Sequence, residues 1–277
     1  MRAGNQTLPP ELLFLVECPG TPRVLIISPH PDDEVIGAGS RLPLLPNTVV
    51  LQITNGAPAA VSDAQAAGFS SGPEYARARH AELRAALRVC GLAETLELNI
   101  PDQKAAFHLV PLTRRIQKLI ARLTPDYIIT VPYEGGHPDH DATAFSVHYA
   151  CANLPQPPPI IEMLSYHNEK SACVMDRFLN EGSGTLTVNL TEKERELKRS
   201  LFGCFPSQAN VLRWFPIQVE KFRVAPACDF TSPPHSGLLY YEMFPWGMTQ
   251  DHWCELARAA TVQLRNPRSS CHELAYS

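Results

Sequence analysis

The chain has 277 residues, of which 44% are hydrophobic and 19% charged, so it can bury a full core and a globally disordered chain is excluded. Its formal net charge is −4 and its basic residues are scattered, which argues against a nucleic-acid-binding protein, because such proteins present a basic face. No stretch approaches the roughly 20 apolar residues that a membrane span needs. The first residues also lack the basic-then-apolar build of a signal peptide. We therefore predict a soluble, cytoplasmic protein without a transmembrane segment.

Eight cysteines are spread along the chain, and no two of them form a Cys-x-x-Cys pair. Their even number is weak support for disulfides in a chain of this length. Several stand among apolar residues, which favours reduced and mostly buried thiols. The eight are Cys18, Cys90, Cys151, Cys173, Cys204, Cys228, Cys254 and Cys271.

Strand and helix patterns alternate through the first 165 residues. Short apolar runs predict five strands, and amphipathic or Ala-, Leu-, Arg- and Glu-rich stretches between them predict four helices. Apolar strands that alternate with helices are typical of a parallel sheet covered on both faces, so we predict an α/β fold, a Rossmann-like three-layer sandwich with a mostly parallel sheet. The predicted strands are residues 23–28, 48–54, 95–98, 126–131 and 160–165, and the predicted helices are 35–42, 74–90, 111–123 and 138–150.

The chain after residue 170 is less regular. Thr191 and Glu194 form the Thr-x-x-Glu pattern of a capping box, which predicts a helix over 191–202. A last helix is predicted over 249–260.

No charged linker or low-complexity tract divides the chain, so we predict one domain over 1–277. Within it, we expect a Rossmann-like core at about 20–170 and a C-terminal extension at about 171–277. Two predicted loops, 57–73 and 101–110, follow strands. Both are therefore expected at the carboxyl ends of the sheet, where open α/β folds build their sites.

A first cluster of chemically active residues, Pro29-His30-Pro31-Asp32-Asp33-Glu34, directly follows the first predicted strand. Its three consecutive carboxylates repel one another, and a nearby cation would offset that repulsion. The prolines hold the chain extended, so His30 and Asp33 can converge on one point, and both side chains are good ligands for Zn²⁺. Acidic residues are also favoured in a first helical turn. By itself this segment is therefore either a helix start or a metal site.

A second cluster, His137-Pro138-Asp139-His140-Asp141, comes shortly after the fourth predicted strand. Both clusters stand at strand-to-helix junctions, which lie at the same edge of a parallel sheet. Two groups of acids and imidazoles at matching positions are hard to explain as helix starts alone. One histidine and one aspartate from the first cluster and one histidine from the second would give three ligands. That number leaves an open position for water, as in catalytic zinc sites.

These paired motifs resemble those of the PIG-L/LmbE-like zinc-dependent N-acetylglucosaminyl deacetylases. The resemblance implies a hydrolase that removes the acetyl group from an N-acetylated amino sugar, carried by a small molecule or glycoconjugate. It covers roughly residues 23 to 225, because weaker similarities accompany the two motifs: Arg79-x-x-Glu82, Asp102-Gln103, Ser207-Gln208 and Glu220–Arg223.

The resemblance implies His30, Asp33 and His140 as ligands of Zn²⁺, with Fe²⁺ or Co²⁺ as alternatives. Asp32 would be the general base. His137 would face the substrate carbonyl, either to stabilise the oxyanion or to protonate the leaving amine.

Three further roles are implied in the same way. Asp139 would orient His137 and raise its pKa. Arg79 and Asp102 would contact sugar hydroxyls. Alternatively, Arg79 is a solvated helix charge paired with a neighbour, and Asp102 is a turn residue after Pro101.

The second cluster departs from some relatives, which carry a mobile tyrosine where this chain has Gly135. Tyr133 is near in sequence and is a candidate to replace it, or the Gly135-Gly136 pair makes room for a larger substrate. Ordinary packing is the expected role for most of the aromatic residues of the C-terminal part: Trp214, Phe215, Tyr240, Tyr241 and Trp246.

Three other functions are weighed against the deacetylase. An amidase acting on a thiol conjugate would keep the metal site and differ in its pocket. A non-catalytic carbohydrate-binding protein fits the fold, but Asp32 and the three candidate ligands are all present. A nucleotide-binding domain is disfavoured, because no Gly-x-Gly-x-x-Gly follows the first strand and Gly37-Ala-Gly39 lies too far into the helix.

Overall fold

A mostly parallel sheet of seven strands runs through the residues that the structure, a computed structural model, describes: 8–17, 20–182 and 184–266. Two short strands, His167–Glu169 and Ala172–Val174, pair separately as an antiparallel hairpin. In chain order the strands are β1 (Val24–Ser28), β2 (Thr48–Pro58), β3 (Thr95–Asp102), β4 (Tyr127–Thr130), β5 (Ile160–Met163), β6 (His167–Glu169), β7 (Ala172–Val174), β8 (Leu186–Asn189) and β9 (Val219–Val224).

The order of strands across the sheet is β3-β2-β1-β4-β5-β9-β8. Strands β1 to β5 run parallel, and β9 and β8 add an antiparallel edge. From β1 the chain moves outward to β2 and β3, and it then returns to the other side of β1 as β4. This reversal next to β1 is the switch point at which open α/β sheets bind their ligands.

Helices cover both faces of the sheet. They are α1 (Asp33–Ala38), α2 (Val61–Ala66), α3 (Gly72–Val89), α4 (Leu109–Leu123), α5 (Pro138–Ala152), α6 (Glu192–Gly203), α7 (Ala209–Leu212) and α8 (Gln250–Arg265). Because successive side chains of a strand point to opposite faces, Leu25 and Ile27 pack into one core with α4, α5 and α8, whereas Val24 and Ile26 pack into another with α1, α3 and α6. The predicted three-layer α/β sandwich is confirmed.

Most of the predicted elements are present, with small shifts at their ends. All five predicted strands are found, as are the helices predicted over 74–90, 111–123, 138–150, 191–202 and 249–260. The capping box is formed, since Thr191 Oγ1 accepts from the Glu194 amide and the Glu194 carboxylate accepts from the Thr191 amide. Local signals were sufficient here because each of them acts within one turn or one strand.

Several predicted boundaries are wrong. The second strand was predicted to end at residue 54, but β2 continues to Pro58, because the chain bends at Gly56 (φ +66°) and pairs again with β3 at Asp102. The predicted loop 57–73 contains α2 and the start of α3. The predicted loop 101–110 contains the end of β3, a 3₁₀ turn and the start of α4. The helix predicted over 35–42 is the shorter α1, which ends at Ala38.

The two antiparallel strands of the main sheet, β8 and β9, were not predicted. Charged residues of β9, such as Glu220 and Lys221, and polar residues of β8, such as Thr187, stand between their apolar residues, so neither strand is a continuous apolar run. Strand β9 pairs antiparallel with β5, for example between Met163 and Phe222, and β8 in turn pairs with β9 at the edge of the sheet.

Six cysteines lie within the described residues, and all six are free thiols, three of them buried: Cys90, Cys151 and Cys254. Cys18 and Cys271 lie outside the described residues. Burial raises the pKa of the Cys90 and Cys151 thiols to about 12, which keeps them protonated. No helix in the described ranges combines the length and the apolar character needed to cross a membrane.

Candidate active site

The two clusters of active residues meet because β1 and β4 are neighbours. Ile27 near the end of β1 pairs with Thr130 at the end of β4, so the segments that follow leave the sheet side by side. The first segment begins α1 and the second begins α5. The sequence placed both clusters at one edge of the sheet, and the strand order now places them next to each other.

The backbone of the first cluster adopts an unusual conformation at Asp32, where φ is 144°. A residue other than glycine in this region costs roughly 1–3 kcal/mol, and such positions concentrate at functional sites. The Asp32 carbonyl accepts hydrogen bonds from the amides of Val35 and Ile36, which ties the strained residue to the first turn of α1. Packing and hydrogen bonds therefore hold Asp32 in place against its local preference.

His30, Asp33 and His140 form a compact group of buried ligand atoms. His30 Nδ1 lies 3.2 Å from Asp33 Oδ2, and His140 Nε2 lies 3.4 Å from Asp33 Oδ1. One ligand atom from each residue lies within 4.8 Å of the others. His140 Nε2 is buried and has no hydrogen-bond partner among the described residues, while its Nδ1 contacts Ser165 Oγ at 3.1 Å. Two imidazoles, one carboxylate and an unsatisfied ring nitrogen suit a divalent transition metal such as Zn²⁺.

The other ring nitrogen of His30 faces two further carboxylates. Nε2 lies 3.1 Å from Asp102 Oδ1 and 3.2 Å from Asp139 Oδ2. Burial alone would lower the pKa of His30, but the Asp102, Asp139 and Asp33 carboxylates raise it well above its usual value. A metal-ligating histidine commonly donates its second N–H to a carboxylate. Nε2 therefore faces these carboxylates, and Nδ1, beside Asp33, is the ring nitrogen that could bind a metal.

The Asp139 carboxylate makes its hydrogen bonds with groups other than the ring of His137. Its two oxygens accept the backbone amides of Gln103, at 2.6 Å, and Ala105, at 2.8 Å. It therefore ties the loop after β3 to the start of α5. Asp139 Oδ2 lies 3.8 Å from His137 Nδ1, which instead accepts the backbone amide of Asp139 as an N-terminal helix cap.

The pKa of His137 is correspondingly lowered, not raised. Burial is the main cause, and the positive charge of nearby His30 adds to it, outweighing the attraction of Asp102. Because Nδ1 accepts a hydrogen bond, the proton of the neutral ring belongs on Nε2, which lies 3.6 Å from Asp102 Oδ1. His137 thus presents a neutral N–H donor where the rings of His30 and His140 also lie.

Arg79 is neither solvated nor free. It is 2% exposed, and its Nη2 donates to Asp32 Oδ2 at 3.1 Å. Burial raises the pKa of Asp32 to about 6, and the positive charge of Arg79 limits that rise. The alternative of a solvated helix charge is therefore wrong, whereas the contact of Arg79 with sugar hydroxyls stays a prediction, because Arg79 also lines the cavity.

The site borders a cavity of about 440 Å³, within the range of small-molecule sites. Its polar floor contains His30, Asp32, Asp33, Arg79, Asp102, His137 and His140. Its walls are largely aromatic and apolar: Tyr75, Tyr166, Met175, Val211, Trp214, Phe215, Tyr240, Phe244 and Trp246.

Residues 25–151 match the family model described as PIG-L, GlcNAc-PI de-N-acetylase. The matched range contains both clusters of active residues. The chain is 28% identical to a probable N-acetyl-α-D-glucosaminyl L-malate deacetylase 2 of Bacillus cereus, in a match that covers 72% of this chain and 96% of that protein. A diacetylchitobiose deacetylase of Thermococcus kodakarensis is 30% identical over 44% of this chain and 46% of that protein.

Among solved structures, an A40926 pseudoaglycone deacetylase has the same fold. The TM-score is 0.59 at 21% identity, and the match covers 76% of this chain and all of that one. The family resemblance of the paired motifs and the fold class are confirmed.

Outside the PIG-L match, the C-terminal part of the chain braces the domain. Glu82 of α3 accepts from the amide (2.8 Å) and the hydroxyl (2.6 Å) of Ser207, and Gln208 Nε2 donates to the Tyr75 hydroxyl at 2.6 Å. In β9, Arg223 donates to Glu162 of β5 and to Glu134 near the second cluster. The weaker motifs of the sequence therefore join the residues matched by the family model to the C-terminal part of the chain.

The Gly135-Gly136 pair is explained by close packing. A Cβ at Gly135 (φ +70°) would lie 2.8 Å from the Leu239 side chain, and one at Gly136 would lie 2.2 Å from the Tyr166 carbonyl oxygen. The pair therefore allows close backbone approach and makes no room for substrate. Tyr133 does not replace the missing tyrosine, because its hydroxyl donates to the Ser232 carbonyl and its ring packs against Phe230.

The walls of the cavity contain the residues that sequence reasoning missed. Four of the five aromatic residues expected mainly to pack line the cavity, and only Tyr241, with no exposed surface, is a core residue. Tyr75, Tyr166 and Phe244 were not singled out at all. No local pattern marks these residues, because they come from α3 and from irregular segments that only the fold brings together.

Proposed function

We propose that this protein is a metal-dependent hydrolase that removes the acetyl group from an N-acetylated amino sugar within a small glycoconjugate. The observation that carries the proposal is the buried His30–Asp33–His140 group, with an unsatisfied His140 nitrogen, beside Asp32 at the floor of an open cavity. The relatives named above are deacetylases of sugar conjugates, which supports the same reaction class here.

His30, Asp33 and His140 would hold the metal, with Zn²⁺ as the expected ion and Fe²⁺ or Co²⁺ as alternatives. The ion would polarise the amide carbonyl and lower the pKa of water to about 7. Asp102 and Asp139 would fix the ring of His30 by accepting its Nε2 proton. Mutation of a carboxylate in this role typically weakens metal binding about 10–100-fold.

Asp32 would accept the proton of the attacking water. With a pKa of about 6 it is ionised at neutral pH and still basic enough to act. Arg79 would hold the carboxylate in place through Oδ2. The same proton would then pass from Asp32 to the nitrogen of the leaving amine, which balances the hydrolysis.

His137 would donate its Nε2 proton in a hydrogen bond to the oxyanion that develops on the carbonyl. Its lowered pKa favours this role over that of a general acid, because the ring remains neutral at physiological pH. Such a donor typically contributes about 10²–10³ in rate.

The proposal is tested on the purified protein by elemental mass spectrometry and an acetate-release assay. We expect about one zinc per chain, with acetate released from N-acetylglucosaminides, lost on chelation and restored by zinc. Amides of thiol conjugates are included as substrates. Turnover of these amides without acetate release would replace the deacetylase by an amidase. A chain that takes up no metal after zinc is supplied would overturn both.

A further inference from the structure

The aromatic wall of the cavity is continuous with the floor of the site. The Trp246 ring lies 4.6 Å from that of His137 and is stacked with Phe244, at 4.5 Å and an interplanar angle of 14°. Phe244 contacts Tyr240 at 5.1 Å, and Tyr240 contacts Tyr166 at 5.5 Å. A molecule with its amide at His137 would therefore meet aromatic rings at once along this side.

The wall becomes more exposed toward the mouth of the cavity. Trp246 is partly buried, Phe244 is 36% exposed and Trp214 is 67% exposed. Val211, which also lines the cavity, is 49% exposed. Large apolar side chains left open around a polar floor are typical of a binding surface. The surface thus extends from the reacting amide out to solvent, the path that a group attached to the sugar would follow.

The charges of the cavity disfavour an anionic group on that path. Arg79 is the one lysine or arginine among the described residues that line the cavity, and it is engaged by Asp32. Asp32, Asp33 and Asp102 lie in the same cavity. Arg213 stacks on Trp214, 5.0 Å from the ring centre, but it lines a neighbouring groove. Apart from Arg213 beside Trp214, a carboxylate or phosphate held against this wall would meet only Arg79, which already pairs with Asp32.

We infer that the sugar substrate carries an uncharged, apolar aglycone, and that Trp214, Phe244 and Trp246 form the subsite that binds it. The inference rests on the proposed function, because it assigns the sugar end of the substrate to the metal site. An apolar aglycone differs in its place from an extended N-acyl group. The N-acyl group would lie at the buried floor beside the histidines, whereas the rings reach the solvent-exposed mouth. An apolar aglycone also differs from a second sugar, whose hydroxyls would be drawn to the polar side chains of the lining, such as Gln208 and Asn210, and not to the rings.

The test compares methyl and phenyl glycosides of N-acetylglucosamine, each as both anomers. We expect kcat/KM for acetate release to be about tenfold higher for the phenyl glycoside, mainly through a lower KM, because one aromatic contact contributes on this scale. Trp214→Ala and Phe244→Ala should reduce this phenyl-to-methyl ratio to within about threefold of unity, and Trp214→Phe should restore most of it. Phe107→Ala, at an aromatic residue that is 45% exposed and outside the cavity lining, should leave both rates unchanged.

Calorimetric binding of the two glycosides separates this inference from the proposed function. Tighter binding of the phenyl glycoside that is lost in Trp214→Ala supports the subsite even if no acetate is released. Acetate release with equal kcat/KM for both glycosides refutes the subsite and leaves the deacetylase standing. The subsite would also be refuted if any of three other substrates had a higher kcat/KM than the phenyl glycoside. These are N,N′-diacetylchitobiose, a glycoside with a dicarboxylate aglycone, and a glycoside with a longer N-acyl group.

Discussion

Two groups of buried ionisable side chains differ in how completely they satisfy one another. In the first, Lys198 of α6 and Glu220 of β9 form an ion pair at 3.0 Å, with both side chains 1% exposed or less. Lys198 also donates to the Ile36 carbonyl at 2.7 Å, and Glu220 accepts from the amide and the hydroxyl of Ser40. Each charge has its partners within the fold.

The second group, around His30, Asp33 and His140, is also buried but remains incomplete. His140 Nε2 has no hydrogen-bond partner in the described part of the chain, and the group borders an open cavity. Burying ionisable groups without full partners is costly. The Lys198–Glu220 pair is thus closed, and it holds α1, the helix that carries Asp33. The group of His30, Asp33 and His140 is open, because it keeps its donor atoms free for a ligand. Burial alone therefore does not identify a functional site; unsatisfied atoms beside a cavity do.

His140→Ala removes a donor atom from the open group and should have the largest effect. We expect the metal to be lost and acetate release to fall on the order of 10⁴-fold, because a metal lowers such barriers by several kcal/mol and 1.36 kcal/mol is tenfold. Elemental mass spectrometry and the acetate assay measure both. The exposed His252→Ala is the matched control. A His140→Ala protein with full metal occupancy would remove this residue from the ligand set.

Asp32→Asn keeps the shape of the open group but removes its base. Metal content should stay near that of the wild type while kcat falls about 10²–10⁴-fold. In the wild type, kcat/KM should fall as the pH drops through about 6, where Asp32 gains a proton, and a bound cation would shift this limb lower. Asp229→Asn, in an exposed loop, is the control. Turnover retained in Asp32→Asn would assign the base elsewhere.

Lys198→Met breaks the closed pair and should destabilise the fold without touching the chemistry. A single uncompensated buried charge costs roughly 3–5 kcal/mol, so the free energy of unfolding in urea should fall by that amount. Adding Glu220→Gln, which removes the stranded charge and still accepts from Ser40, should recover much of the loss. The exposed Lys193→Met on the same helix should have little effect. If Lys198→Met and Lys193→Met lost the same free energy of unfolding, the Lys198–Glu220 pair would not be buried in solution.

Glu34→Gln probes the buried carboxyl next to Asp33, and its effect is confined to how stability depends on pH. Burial and the charges of Asp32 and Asp33 raise the pKa of Glu34 to about 8 from 4.5, and Gln52 Nε2 donates to it at 2.9 Å. Between these values the folded protein holds a proton that the unfolded chain has lost, so stability falls as pH rises. One such group contributes at most about 1.4 kcal/mol per pH unit.

In metal-free protein, Glu34→Gln should flatten the dependence of unfolding free energy on pH between 5 and 8. Urea unfolding across that range measures the slope. The exposed Glu196→Gln should leave the slope as it is. A slope that is the same in Glu34→Gln and in wild type would mean that Glu34 is ionised in the folded protein.

The sequence by itself determined the features that depend on neighbours along the chain. Apolar strands alternating with helices predicted the layered sheet, and the Thr191–Glu194 capping box predicted the start of α6. The two acid-and-histidine clusters at strand ends predicted which residues converge, because the carboxyl ends of parallel strands share one edge. These predictions succeeded because periodicity, capping and motif spacing act within a few residues.

Only the tertiary structure decided which distant groups pair. It placed β4 beside β1, gave the Asp139 carboxylate to the amides of Gln103 and Ala105, and paired Arg79 with Asp32. It also gathered the aromatic wall from α3 and the irregular C-terminal segments. Hydrogen-bond partners, burial and pKa values depend on which atoms lie within a few ångströms in space. For residues far apart in the chain, only the completed packing of the sheet and its helices sets those distances.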